Sequence, residues 1–222
     1  MKLRGAALLC LVAVLTPQAG LAGKDSPQEA ALPPPAPAVP LRPADPLLFR
    51  ILGVTVGRAG LDPIMAVLGK APVVQRRKAP RVICYVGPDE TYLVFEETDT
   101  GWGYTLYSAK TPPKELLNSN NCKALFRLNA ATQSAVGLHL TQSLDELKDL
   151  LGAPQTDERQ HPSWLFANEE TIAPGADARL PADATRIELR TKITARLKHG
   201  GVTRISVFTY QKPVAPAGEA TR

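Results

Sequence analysis

The sequence predicts an α+β fold built from two tandem repeats, each a short helical segment followed by an antiparallel β-meander, with the helices packed on one sheet face. Three observations carry this prediction. The stretch Gly60-Leu61-Asp62-Pro63-Ile64-Met65-Ala66-Val67-Leu68-Gly69 aligns without a gap with Ser143-Leu144-Asp145-Glu146-Leu147-Lys148-Asp149-Leu150-Leu151-Gly152. Each copy follows a glycine-led stretch of strand character, Gly53-Val54-Thr55-Val56 and Gly137-Leu138-His139-Leu140, and each is followed by proline, Pro72 and Pro154. Behind each helix the apolar period changes from helical spacing to alternation, the mark of strands with one buried face.

Residues 1–22 read as a secretory signal peptide. Lys2 and Arg4 precede an apolar run from Ala6 to Leu15, and Gly20 and Ala22 suit cleavage after Ala22. That run is too short to span a bilayer, which takes roughly 20 apolar residues, so no transmembrane segment is expected in the mature chain. Residues 23–46 are rich in alanine and proline, including Pro33-Pro34-Pro35. With few apolar side chains to bury, they are expected to form a disordered, semi-rigid linker. The first repeat is placed at 47–124 and the second at 125–211. The tail 212–222, with Pro213, Pro216 and Gly218, is expected to fray.

In the second copy Ser143 and Glu146 form an S-x-x-E capping box, in which each side chain satisfies a free N–H at the helix start. Leu144, Leu147, Leu150 and Leu151 then make one apolar stripe, Gly152 suits a left-handed terminus, and Pro154 prevents continuation. The first copy offers Leu61, Ile64, Val67 and Leu68 in the same slots, Gly60 as N-cap, Pro63 in the first turn where its missing N–H costs little, and Gly69 as the stop. Arg81 to Val86 and Thr91 to Glu96 read as strands joined by the turn Gly87-Pro88-Asp89-Glu90. Gly101-Trp102-Gly103-Tyr104 leads into a third strand through Tyr107.

The second meander opens with Trp164-Leu165-Phe166. Ala167 to Ala184 lack periodicity and are expected to be a long loop. From Arg186 to Lys198, Ile187, Leu189, Ile193, Ala195 and Leu197 alternate with charged or polar residues, as in an antiparallel sheet buried on one side. His199-Gly200-Gly201 turns the chain into a last strand, Val202 to Tyr210.

Removal of Lys2 and Arg4 with the leader takes the formal charge from +5 to +3, too modest for a dedicated nucleic-acid binder. Removal of Cys10 leaves Cys84 and Cys122, and export to an oxidising compartment makes a disulfide between them the leading expectation over two buried thiols.

A short strand-like entry, a helix ending in Leu-Gly-x-Pro and a following meander, as in Gly53 to Pro72 and Gly137 to Pro154, resembles the small outer-membrane assembly proteins of the SmpA/OmlA (BamE-like) type. In tandem the unit is similar to the β-lactamase-inhibitor-protein fold. The resemblance implies a periplasmic or secreted module that holds a protein partner with its sheet face and loops. The lipobox cysteine of the lipoprotein members has no counterpart here, and neither has an inhibitory loop. Neither outer-membrane anchoring nor an inhibitor role therefore carries over.

Nothing in the chain reads as catalytic machinery. There is no G-x-S-x-G elbow, and His139, His161 and His199 show no metal-ligand spacing. Neither Gly101-Trp102-Gly103 nor Gly200-Gly201 matches a phosphate-binding loop, so no cofactor is expected. The acidic pairs Asp89-Glu90, Glu96-Glu97 and Glu169-Glu170 suit solvated carboxylates. Two basic groups remain: Arg76-Arg77-Lys78 with Arg81, and Arg186, Arg190, Lys192, Arg196, Lys198 and Arg204 on the last hairpin near Phe208 and Tyr210. A charged sheet face blocks edge-to-edge aggregation; the same face, through Arg190, Lys192 and Arg196, suits an anionic partner such as an acidic protein surface or an envelope polymer. Trp102 and Tyr104 lie on one side of a strand, as core residues or as anchors of a partner contact. The sequence thus predicts a non-catalytic, exported, envelope-associated binding module. The competing class is a secreted enzyme or enzyme inhibitor with a loop-built site.

Overall fold

Among the described residues, two short α-helices, a 3-10 turn at Pro46–Phe49 and two β-sheets make a mixed α+β architecture. The computed structural model describes residues 41–75, 80–109, 121–158 and 161–214. Residues 1–22, read above as a signal peptide, most of the segment read as a linker, Arg76-Arg77-Lys78 and most of the tail lie outside the described residues.

A small hairpin pairs β1 (Arg50–Ile51) with β2 (Val54–Thr55). Its two-residue turn places Leu52 at φ 50° and Gly53 at φ 81°, the left-handed pair that a tight hairpin requires. Helix α1 (Asp62–Leu68) follows, then β3 (Arg81–Val86), β4 (Tyr92–Glu97), β5 (Gly101–Tyr107) and β6 (Cys122–Ala124). Helix α2 (Leu144–Leu151) leads into β7 (Thr156–Glu158), β8 (His161–Thr171), β9 (Arg186–Lys198) and β10 (Gly201–Pro213).

The second sheet has eight strands in the order β6-β3-β4-β5-β10-β9-β8-β7. The meander β3-β4-β5 meets the meander β8-β9-β10 through the third strand of each, antiparallel, with Tyr104 opposite Val207. The order of these six strands is therefore mirrored about the β5–β10 contact, while the outer strands differ: β6 follows its meander in the chain and pairs parallel to β3, and β7 precedes its meander and pairs antiparallel to β8.

Both helices send their buried residues into one core. Leu61, Ile64 and Leu68 from α1 and its N-cap, and Leu147 and Leu151 from α2, join Ile83, Tyr85, Phe95, Tyr104, Trp164, Phe166, Ile193 and Val207 in a single cluster. The strand registers place all of those sheet residues on one face, called here the core face. Truncating one such side chain, Ile64→Ala, removes about 2–5 kcal/mol by lost transfer energy and cavity formation.

The helix ends correspond closely. The Tyr85 hydroxyl donates to the Gly69 carbonyl at 2.7 Å, and the Trp164 indole N–H donates to the Gly152 carbonyl at 2.8 Å. Gly69 and Gly152 occupy equivalent slots and both have positive φ. Each helix is thus tied at its last turn to the core face of its own meander. Burial holds the Tyr85 hydroxyl up at about 12, so it remains a donor across the ordinary pH range.

The helix starts differ. Ser143 makes the full capping box with Glu146, and the hydrogen bonds from Ser143 hold the exposed Glu146 carboxyl below its ordinary value. In α1 the N-cap is Leu61, with no side-chain cap bond. Gly60 instead makes the preceding turn at φ 79°, where a Cβ would stand 3.0 Å from a Glu97 carboxylate oxygen. The fourth stripe position also departs from expectation in both copies: Val67 is 56% and Leu150 39% exposed. Helices of seven and eight residues bury only two positions each in the core, Ile64 and Leu68 in α1 and Leu147 and Leu151 in α2.

Three further expectations are corrected. Gly137 to Leu140 is no strand but an irregular segment that buries Leu138 and Leu140 and is held by Ser134, whose backbone N–H donates to Leu138 O at 2.9 Å. Strand β8 runs on to Thr171, because Ala167 to Thr171 pair with Arg190 to Arg186 of β9; the loop is 172–185. The linker reading of 23–46 extends too far, since Ala44 is buried, exchanges hydrogen bonds with the Asn168 amide, and follows Arg42, whose guanidinium lies 4.8 Å from the Phe166 ring centroid.

Cys84 and Cys122 are disulfide-bonded and stand opposite each other in the parallel β3–β6 pairing. The bond fastens the short edge strand β6 across a separation of 38 residues; constraint of the unfolded chain by a loop of that size is worth about 4 kcal/mol in the chain-entropy model. At the other edge the Gln155 side-chain amide gives and takes a hydrogen bond with the Leu165 backbone, and Ala167 N–H donates to Arg42 O. These contacts occupy backbone groups that an incoming strand would need.

Candidate functional site

Trp102 and Tyr104 both point to the core face and are 6% and 1% exposed. The Tyr104 hydroxyl donates to Leu48 O at 2.9 Å, and burial raises its pKa well above the usual phenol range. Trp102 is overlain by two guanidinium groups, Arg58 at 5.8 Å and Arg179 at 5.4 Å from its ring centroid. Neither aromatic presents an open ring to a partner.

Arg179 comes from the 172–185 loop and fixes that loop to the sheet. Its Nε and Nη2 each donate to the Asp177 carboxylate at 2.9 Å, and Gln211 donates to the same group at 3.0 Å. These bonds, that of Arg179 foremost, hold the Asp177 carboxyl far below its ordinary value against the opposing effect of burial. Arg81 pairs with Glu97 at 3.0 Å and Arg58 with Glu170 at 2.6 Å. Arg58 Nε and Arg179 Nη1 are buried without a hydrogen-bond partner, the latter 3.9 Å from Glu97 Oε1. Of the acidic pairs in the sequence, Glu97 and Glu170 thus serve this core-face network. Glu169 binds Arg186. Asp89 accepts from Thr91 N–H and Ala130 N–H, bonds that outweigh its partial burial and lower its pKa.

The opposite face of the sheet is open across β8, β9 and β10. Arg190, Lys192 and Arg196 lie there, all exposed, with Arg204 beside them. A β-bulge sets this arrangement. Pairing of the last hairpin shifts between Val202 and Arg204, so Arg204 stands opposite Arg196 rather than one residue along. One extra residue in a strand turns the following side chains to the other face; Arg204 thereby reaches the open face while Ile205 and Val207 stay in the core. The sequence carries a trace of the bulge that the alternation reading passed over: the apolar positions run Val202, Ile205, Val207, a break in the two-residue period.

The cations are not equivalent. Arg190 donates to Glu188 at 2.9 Å and Arg186 pairs with Glu169. Among the described side chains, which do not include those of Asp157 and Glu158, no acidic group pairs with Lys192, Arg196 or Arg204. The Arg204 guanidinium is set over the Tyr107 ring, 5.0 Å from its centroid. Beside this trio, Phe208 packs over Gly101 and Gly103, where a Cβ would approach its ring carbons to 2.7 Å, and stacks at 4.7 Å on Tyr210, which is 50% exposed. Glycine at these two positions is what lets the ring lie flat on β5.

Lys192, Arg196 and Arg204 border a groove of about 430 Å³ floored by β7, β8 and β9. Its other lining residues include His161, Thr156, Ser163, Leu165 and Thr194, and none of them is acidic. The Thr156 and Ser163 hydroxyls are 2.6 Å apart and share one hydrogen bond. The groove can accept a negatively charged group. His139 and His199 lie elsewhere, in the 137–140 segment and in the turn after β9. Among the described residues no group of three His, Cys, Asp or Glu side chains is placed to hold a metal ion, and no helix is long and apolar enough to cross a membrane.

Compared with protein-family models, with curated proteins and with solved structures, the chain matches none.

Proposed function

We propose that this chain is a non-catalytic binding module, exported from the cytoplasm, whose open sheet face across β8–β10 engages an anionic partner in the cell envelope. The observation that carries this reading is the charge imbalance of that face: Lys192, Arg196 and Arg204 border one groove with no acidic partner among the described side chains. Uncompensated like charges on neighbouring strands cost stability, and an anionic partner recovers it. The leader-like residues 1–22 and the Cys84–Cys122 bond support an oxidising compartment outside the cytoplasm.

The scaffold we propose is a duplicated helix-plus-meander unit, of the kind that the resemblance to BamE-like and β-lactamase-inhibitor-protein-like folds implies. Equivalent bonds from Tyr85 to Gly69 and from Trp164 to Gly152 support the duplication, as does the mirrored order of the two three-stranded meanders.

Cell fractionation tests the reading. The triple variant Lys192→Ala, Arg196→Ala, Arg204→Ala is expected to leave the envelope fraction at low salt, and wild type to do the same as salt screens the contact. Identical fractionation of the two proteins at low salt would sink the proposal.

A further inference from the structure

We infer that the groove bordered by Lys192, Arg196 and Arg204 is a binding site for a phosphate group. This deepens the reading above and rests on it, because it names the chemistry that the open face recognises. Lys192, Thr194 and Arg196 follow one another at every second position of β9, so they share a face and are spaced about 6.7 Å apart along the strand. Arg204 stands directly across from Arg196, which puts the two Cβ atoms about 5 Å apart. Two arginines in that relation repel each other, and the bulge at Val202–Arg204 is what creates it.

The polar lining decides between anions. Ser163 stands opposite Thr194 in the β8–β9 pairing, and Thr156 adds a second hydroxyl at the same end. Of the two protons on the Thr156–Ser163 pair one is spent between them and one is free to donate. A carboxylate has one charge on two oxygens and is matched by a single guanidinium fork. Three cations with hydroxyl donors match a phosphate monoester or diphosphate, which carries more charge and more acceptor oxygens. Tyr107 under the Arg204 guanidinium orients one fork in advance, and Leu165 on the floor offers an apolar contact to whatever carries the phosphate. That carrier is either a soluble phosphate compound or a phospholipid headgroup.

The test uses protein expressed from its full reading frame and two probes. Inorganic pyrophosphate is titrated while backbone amide resonances are followed; vesicles containing phosphatidic acid, whose headgroup is a phosphate monoester, with phosphatidylcholine vesicles as the neutral comparison, are tested by flotation. Pyrophosphate is expected to shift the amides of Ser163, Thr194, Arg196 and Arg204. The double variant Arg196→Ala, Arg204→Ala should weaken it about tenfold or more, as loss of two charge-assisted contacts implies. Arg190→Ala, whose guanidinium is spent on Glu188, should leave affinity within about twofold. Flotation with phosphatidic acid that the double variant abolishes identifies the carrier as lipid; pyrophosphate binding without flotation identifies it as soluble. Absence of shifts at these residues together with absence of flotation overturns the site. So does an Arg190→Ala loss equal to that of the double variant, because the charge would then act as a diffuse patch. Salt-sensitive envelope association that survives such a result would leave the binding-module reading standing and remove only the phosphate site.

Discussion

Arg58, Arg81 and Arg179 on the core face are each met by a carboxylate from Glu170, Glu97 or Asp177, whereas Lys192, Arg196 and Arg204 on the open face are met by none among the described side chains. Both regions combine basic side chains with aromatic rings, Trp102 in one and Tyr107 in the other. In the first, the charges are internal fasteners: they bind the 172–185 loop to the sheet and close over Trp102. In the second, nothing in the described chain answers the charge. Counting cations therefore does not find a site. The balance of each cation with its neighbours does, and it divides the open face too, since Arg190 is spent on Glu188 while Lys192 and Arg196 are not.

The comparison can be broken most directly at its two arginines. Arg179→Met leaves Asp177, with a side chain 9% exposed, beside an apolar group, and is expected to lower unfolding stability by about 3 kcal/mol. Arg204→Met, on the open face, should stay within about 0.5 kcal/mol. Urea unfolding of the two variants reads the difference, and equal losses would show that the two regions are energetically alike.

Acid sharpens the contrast next. The Asp177 carboxyl is held below its ordinary value in the folded chain, chiefly by the Arg179 hydrogen bonds. Its contribution is therefore complete above the unfolded carboxylate value of about 4 and is lost progressively as pH falls below it. Wild type is expected to lose more stability between pH 7 and pH 3 than Asp177→Asn does. Parallel melting curves for the two proteins over that range would exclude a stabilising role for this carboxylate.

The smallest effect is expected at Arg196. Replacing it with threonine removes the cross-strand repulsion with Arg204 and suits a strand, so stability at low salt should rise by a few tenths of a kcal/mol. The gain should vanish at high salt. A loss of stability at low salt would mean that Arg196 is already compensated within the chain.

Local sequence carried the helices well. Ser143, Glu146 and Gly152 bound α2 where the capping signals place them, because caps are decided within a few residues. The strands of the last hairpin and the Gly87–Glu90 turn were legible for the same reason. What escaped depends on distant pairing. The alternation Gly101-Trp102-Gly103-Tyr104 puts both aromatics on one side of β5, but only the β5–β10 register and the loop carrying Arg179 decide that this side is covered. The groove escaped likewise: Thr156, Ser163, Thr194 and Arg204 meet only when three strands pair and one of them bulges.

Strand β10 holds the two meanders together, and in chain order it follows all the other strands described. It sits between β5 and β9, so the centre of the sheet cannot close until residues 201–213 have joined it. Contacts as distant in sequence as Tyr104 with Val207 are slow to form, and before they form each half exposes the long edge that β10 will cover. The sheet therefore closes in a long-range step that depends on β10. Without residues 201–213 the facing edges of β5 and β9 would be left unpaired and the two meanders unjoined.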